Sequence, residues 1–168
     1  WFLDQLHPGN ATFNLPWMVR LTGELDTPAL QAALNALMQR HQSLRTRFAS
    51  SDGEPVQIIA PVLELPLTLH DCLAANDSCL QLTLHDLSQR CFDLQQGPLI
   101  VAELLKVSPQ DHVLLLVMHH IISDGWSMGI IYRELSALYN GFRKDPGVEP
   151  GLPELPVQYA DYALWQRD

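Results

Sequence analysis

Val113-Leu114-Leu115-Leu116-Val117, followed by Met118-His119-His120-Ile121-Ile122-Ser123-Asp124-Gly125-Trp126-Ser127, decides how the chain is read. The apolar run, rich in branched side chains, has the pattern of a strand covered on both faces. Two histidines, a carboxylate and a glycine stand at its end, where polar groups are costly unless paired or used. Strand alternation predicts that His119 and His120 point to opposite faces, so only one imidazole faces a given cavity. That counts against a metal site on the pair, which needs both rings to converge with further ligands at about 2 Å. No metal is expected.

Outward from this stretch, Ile131, Leu135, Leu138 and Phe142 recur at helical spacing, with Ser123 or Asp124 as N-cap. On the other side, residues 99–107 and 112–120 read as strands joined through Ser108-Pro109-Gln110-Asp111, short enough for a hairpin. Ser78 and Gln81 have capping-box spacing ahead of a helix with the stripe Leu80, Leu84, Leu87 and Cys91, ended by Gly97-Pro98. Residues 54–60 and 65–71 read as short strands after a turn at Ser51-Asp52-Gly53. Thr27 ahead of Pro28 is a helix start, and Leu30, Ala33, Leu34, Leu37, His41 and Leu44 predict a helix to about residue 44. Residues 13–25 read as a strand, and residues 1–6 as the end of a helix stopped by His7-Pro8-Gly9-Asn10. Residues 145–156 hold four prolines and two glycines and read as a connector leading to an aromatic helical segment at 159–166. The expected class is α/β, an α+β sandwich with a mixed sheet flanked by helices.

At 168 residues and 47% hydrophobic the chain suits a globular domain. It starts at Trp1 without methionine and reads as a piece of a longer protein. No apolar run approaches the roughly 18 residues of a membrane span, so a soluble domain is expected, and reduced thiols fit a cytoplasmic protein. A formal charge of −9 with scattered basic residues argues against nucleic acid. Cys72, Cys79 and Cys91 are odd in number and lack paired spacing, which indicates neither a disulfide framework nor a zinc site.

A neutral imidazole suits proton transfer near neutral pH, since its unperturbed pKa is about 6.5. A pair of hydrogen-bonded core histidines is the structural alternative. Asp124 orients an imidazole, caps the following helix or pairs with an arginine, and spacing does not choose among these. Gly125 at a helix start would let a substrate approach backbone N–H groups that favour developing negative charge. Neither a phosphate loop nor a nucleophile elbow is present, which leaves a serine nucleophile at Ser123 or Ser127 as the runner-up.

His119-His120-Ile121-Ile122-Ser123-Asp124-Gly125 resembles the HHxxxDG signature of the condensation domains of nonribosomal peptide synthetases, whose fold is similar to chloramphenicol acetyltransferase. Three further stretches agree in the family's order. Trp1 to Leu6 resembles the end of its first motif, Arg40-His41-Gln42-Ser43-Leu44-Arg45-Thr46-Arg47-Phe48 its second, and Tyr159 to Gln166 its fourth.

The resemblance implies that an acceptor amine attacks a donor thioester to form an amide, in antibiotic and other secondary metabolism. Both substrates arrive on phosphopantetheine arms of donor and acceptor carrier proteins, with no cofactor bound directly. It also implies that residues 1–144 form the N-terminal lobe only, that 145–158 connect, and that 159–168 begin the passage to a C-terminal lobe completing the tunnel. His120 is then catalytic and His119, Asp124, Gly125 and Arg45 supporting, with Arg45 the candidate partner of Asp124 and a competing arginine open to the other lobe. Heterocyclising relatives, which usually carry aspartates for the histidines, are disfavoured. The motif looks more like domains taking an L-configured donor than like epimerising ones. Two alternatives stay open: a non-catalytic docking lobe for carrier proteins, and an ester-forming or acyl-transferring relative.

Overall fold

A computed structural model describes residues 1–73, 76–148 and 150–167. The central strand β6 (Asp111–His119) is the apolar run, and Val113 to Met118 are at most 8% exposed. It is paired antiparallel on both sides, to β1 (Asn14–Thr22) and to β5 (Ile100–Ser108). β4 (Leu67–Asp71) adds in parallel to β5, which makes a mixed four-stranded sheet of order β1-β6-β5-β4.

Helices cover both faces. The Trp17, Val19 and Leu21 side of β1 meets α2 (Thr27–Arg40) and α4 (Gly125–Lys144), with Leu30, Tyr132, Leu135 and Tyr139 lining a narrow apolar crevice there. α3 (Asp77–Ser88) lies towards the opposite face, where the Asn14 amide donates to Ser88 O and Arg90 O, both at 2.8 Å. Burial on two faces is why β6 carries no polar alternation, whereas edge strand β1 alternates half-buried with exposed residues.

β2 (Thr46–Ser51) and β3 (Glu54–Ile59) form a separate hairpin. Its turn has φ of 53° at Asp52 and 85° at Gly53, the doubly left-handed bend that Asp-Gly supplies. α1 (Phe2–Leu6) precedes β1, and α5 (Tyr159–Trp165) ends the described chain.

Several boundaries differ from expectation. α2 is capped by Asp26, whose carboxylate accepts from Ala29 N–H at 2.9 Å, while Thr27 is already helical. The helix stops at Arg40 rather than near 44: His41 is extended and Gln42–Arg45 make a separate 3-10 turn. α3 is capped by Asn76 rather than Ser78 and ends at Ser88, well before Gly97-Pro98. Residues 46–51, unread as a strand, pair as β2 because the turn after them folds β3 back. Residues 150–158 form neither helix nor strand but pack on the helices. A Cβ on Gly141 would overlap the Pro150 ring, so α4 needs glycine where the connector crosses it.

α4 starts where the sheet ends. The Asp124 carboxylate accepts from Ser127 N–H at 2.8 Å and from its hydroxyl at 2.6 Å. Asp124→Ala is expected to cost about 1 kcal/mol and Asp124→Asn much less, since an amide oxygen caps nearly as well as a carboxylate. Urea denaturation of both variants checks this, and equal losses would mean the charge matters more than the cap.

His119 belongs to the core. It is 5% exposed, with Phe13 and Phe92 at ring-centroid distances of 6.0 and 6.4 Å. Its Nδ1 accepts from Ile121 N–H at 3.1 Å, so the neutral ring carries its proton on Nε2. Burial pushes its pKa below the ordinary imidazole value, against the opposing pull of Asp4. The unfolded ring therefore takes up a proton below pH of about 6.5 that the folded ring refuses. This contribution to stability is complete above that pH and is lost as pH falls towards the lowered folded pKa. Denaturation midpoints between pH 7.5 and 5 should fall less steeply in His119→Leu than in the parent, and parallel profiles would contradict the assignment.

Candidate active site

The backbone of the histidine pair extends the ladder by one step on each side. His119 N–H donates to Leu99 O at 2.9 Å and His120 N–H to Phe13 O at 2.7 Å. As alternation predicts, the rings part. His119 enters the core, and His120 is exposed at the wall of a cavity of about 340 Å³. Among the described residues, the His120 ring has no hydrogen-bond partner, so both nitrogens are open to whatever enters.

The facing walls come from distant parts of the chain. The 3-10 turn supplies Ser43, β2 supplies Thr46 and Phe48, β3 supplies Gln57 and α5 supplies Tyr159. Phe48 and Gln57 are direct cross-strand partners, so both point to the same side of the hairpin. Phe48 N–H donates to Leu94 O at 2.7 Å, which ties the hairpin to the segment before β5. Ser43, Phe48 and Tyr159 lie in stretches already singled out by resemblance. Gln57 carried no signal, because its role comes only from pairing opposite Phe48.

Asp124 is the N-cap of α4, and hydrogen bonds from the Ser127 hydroxyl and amide hold its carboxyl below the usual carboxylate range. This corrects one expectation. Arg45 does not pair with Asp124: its guanidinium donates to Ala60 O and, at 3.4 Å, to Gln39 O, tying the end of β3 to the end of α2. Among the described residues no ion pair joins Arg45 to Asp124; the Arg45 Nη atoms are turned to backbone carbonyls and its Nε has no partner. At the helix start the Ser127 amide is taken by the Asp124 carboxylate. Gly125, the first residue of α4, borders open space.

Behind the cavity lies a charged cluster not anticipated from sequence. Glu134, 8% exposed on the buried side of α4, receives His41 Nε2 at 2.6 Å and Arg40 Nε at 3.0 Å through one carboxylate oxygen. The available signal was a glutamate inside the stripe Ile131, Leu135, Leu138, where burial demands a counter-charge. Cys72 is buried and Cys79 and Cys91 are exposed, all three as free thiols.

Known proteins with this sequence pattern and fold agree on one family. The condensation domain family model matches residues 1–168. A linear gramicidin synthase protein of Brevibacillus parabrevis is 45% identical over 173 residues, covering 100% of this chain and 2% of that protein. Phosphinothricin tripeptide synthetase PhsC of Streptomyces viridochromogenes is 45% identical over 172 residues, covering 99% of this chain and 16% of that protein. The chain thus spans a small fraction of the curated relatives it matches. Among solved structures, the X-domain in complex with OxyB from teicoplanin biosynthesis superposes with a TM-score of 0.86 at 33% identity, covering 96% of this chain and 35% of that one. Among the described residues no helix is long and apolar enough to cross a membrane. With a mixed sheet flanked by helices in the chloramphenicol acetyltransferase-like arrangement, the chain belongs to the condensation domain family of nonribosomal peptide synthetases.

Proposed function

We propose that this chain is the catalytic-motif lobe of a condensation domain, forming an amide between a donor acyl or peptidyl thioester and an acceptor aminoacyl thioester. Residues 1–144 are the N-terminal lobe, 145–158 a connector and 159–168 the passage to a C-terminal lobe that completes the tunnel. Both substrates arrive on phosphopantetheine arms of carrier proteins. The observation that carries the reading is the pair of unlike histidines: His119 is buried and neutral, while His120 opens into the cavity without a partner.

His120 acts on the amine. An α-amino group with a pKa of about 7.7 to 8.0 is already roughly a tenth free at pH 7, so deprotonating it in the ground state recovers only about 1.4 kcal/mol. Orienting the nitrogen and accepting its proton as attack makes it cationic offers more. The new C–N bond forms at the thioester carbonyl and the C–S bond breaks. The proton lost by nitrogen balances the one taken up by the departing thiolate. Asp124 serves this chemistry indirectly, by starting α4 beside the His120 turn, and Arg45 by holding the hairpin wall. In a complete two-lobed domain, His120→Ala is expected to lower amide formation about 10²- to 10⁴-fold with an unchanged melting temperature. Near-normal turnover would overturn the reading.

A second reading, a docking lobe without chemistry, draws on the X-domain relative, whose structure is a complex with another protein. Loaded donor and acceptor carriers separate the two. The complete domain is expected to turn over, while the 168-residue chain alone is expected to bind carriers without turnover, because the second wall is absent. Offering hydroxyl and amine acceptors to the complete domain distinguishes ester formation, and preference for the amine is expected.

A further inference from the structure

We propose that Gln158 is a positioning residue for the His120 site, pinning the start of α5 to the break after α2 and so holding Tyr159 in the cavity wall. This rests on the amide-forming role of His120 proposed above.

α5 has little else to hold it. It is seven residues long, far too short to be stable as an isolated helix. None of its residues is buried, so apolar packing does not seat it either. Tyr159, Tyr162 and Trp165 lean on one another at centroid distances of 6.1 and 5.9 Å, and Tyr159 is 59% exposed. Yet Tyr159 forms part of the wall around His120.

What fixes it is the residue before. Gln158 Nε2 donates to Arg40 O at 3.0 Å, and Gln158 Oε1 accepts from Gln42 N–H at 3.1 Å. One side-chain amide thus fills the donor and the acceptor left open where α2 stops and His41 turns extended. The two partners also settle the orientation of the amide, since the flipped form would set donor against donor and acceptor against acceptor. The main chain of Gln158 is used as well: its N–H donates to Asp161 Oδ2 at 2.8 Å and its carbonyl accepts from Asp161 N–H at 3.1 Å, which starts α5. Arg40 Nη2 donates to Pro153 O at 2.6 Å, and the same guanidinium meets buried Glu134, so the anchor for Gln158 is itself held by α4.

A double-mutant cycle in the complete domain tests this, with kcat/KM for amide formation and melting temperature both measured. Gln158→Ala is expected to lower kcat/KM about tenfold to a hundredfold, the scale of a small misplacement at a reacting centre. In a Tyr159→Ala background, already impaired, it should cost no more than about twofold, while lowering the melting temperature equally in both backgrounds. Equal losses of kcat/KM with and without Tyr159, or no loss in either single variant, would overturn the proposal. Should Gln158→Ala fail to fold, Gln158→Glu replaces it, keeping the acceptor for Gln42 N–H while losing the donor to Arg40 O. His120→Ala runs alongside. If that variant stays active the catalytic reading fails, whereas a dead His120→Ala with no coupling between Gln158 and Tyr159 removes this inference alone.

Discussion

The register of β6 between β1 and β5 is the constraint on which everything else depends. Asn14 lies opposite His119 and Ile100 opposite Met118, so the strand is locked on both edges up to its last residue. Because side chains alternate, a slip of one residue would send His119 to the cavity and His120 into the core. The apolar run before them resists such a slip only weakly, since it is buried on both faces. β1 is what specifies it: its covered residues Trp17, Val19 and Leu21 must stay on the side of α2 and α4, and its exposed Arg20 on the other.

The same principle of filled partners governs the far side of the site. A helix that ends in the interior must satisfy its last carbonyls, and a carboxylate buried there must meet positive charge. At the end of α2 the two needs are answered together. Glu134 takes Arg40 and His41 from one side, while the Gln158 amide takes the backbone on the other. Removing either side leaves a buried polar group unpaired, which costs more than the interaction gains when present.

Asp124 shows how a motif residue does structural work beside chemistry. Its carboxylate takes the amide and hydroxyl of Ser127 in the first turn of α4. The cap fixes where α4 begins and hence the turn that carries His120.

Much of this was legible locally. The strand run and its alternation separated the two histidines, and the helical stripe called for a cap at Ser123 or Asp124, of which the structure uses Asp124. Ser51-Asp52-Gly53 marked a turn though not the strand before it, and the motif order pointed to the family. Other features had no local signature. The stop of α2 at Arg40, Arg45 turning to carbonyls instead of Asp124, the pairing that brings Gln57 beside Phe48, and the grip of Gln158 on the α2 break all depend on groups tens of residues apart. Periodicity and capping reflect interactions within a few residues, which the chain writes in its own spacing. A hydrogen bond such as Gln158 to Arg40 leaves no period, because it exists only once packing has brought both ends together.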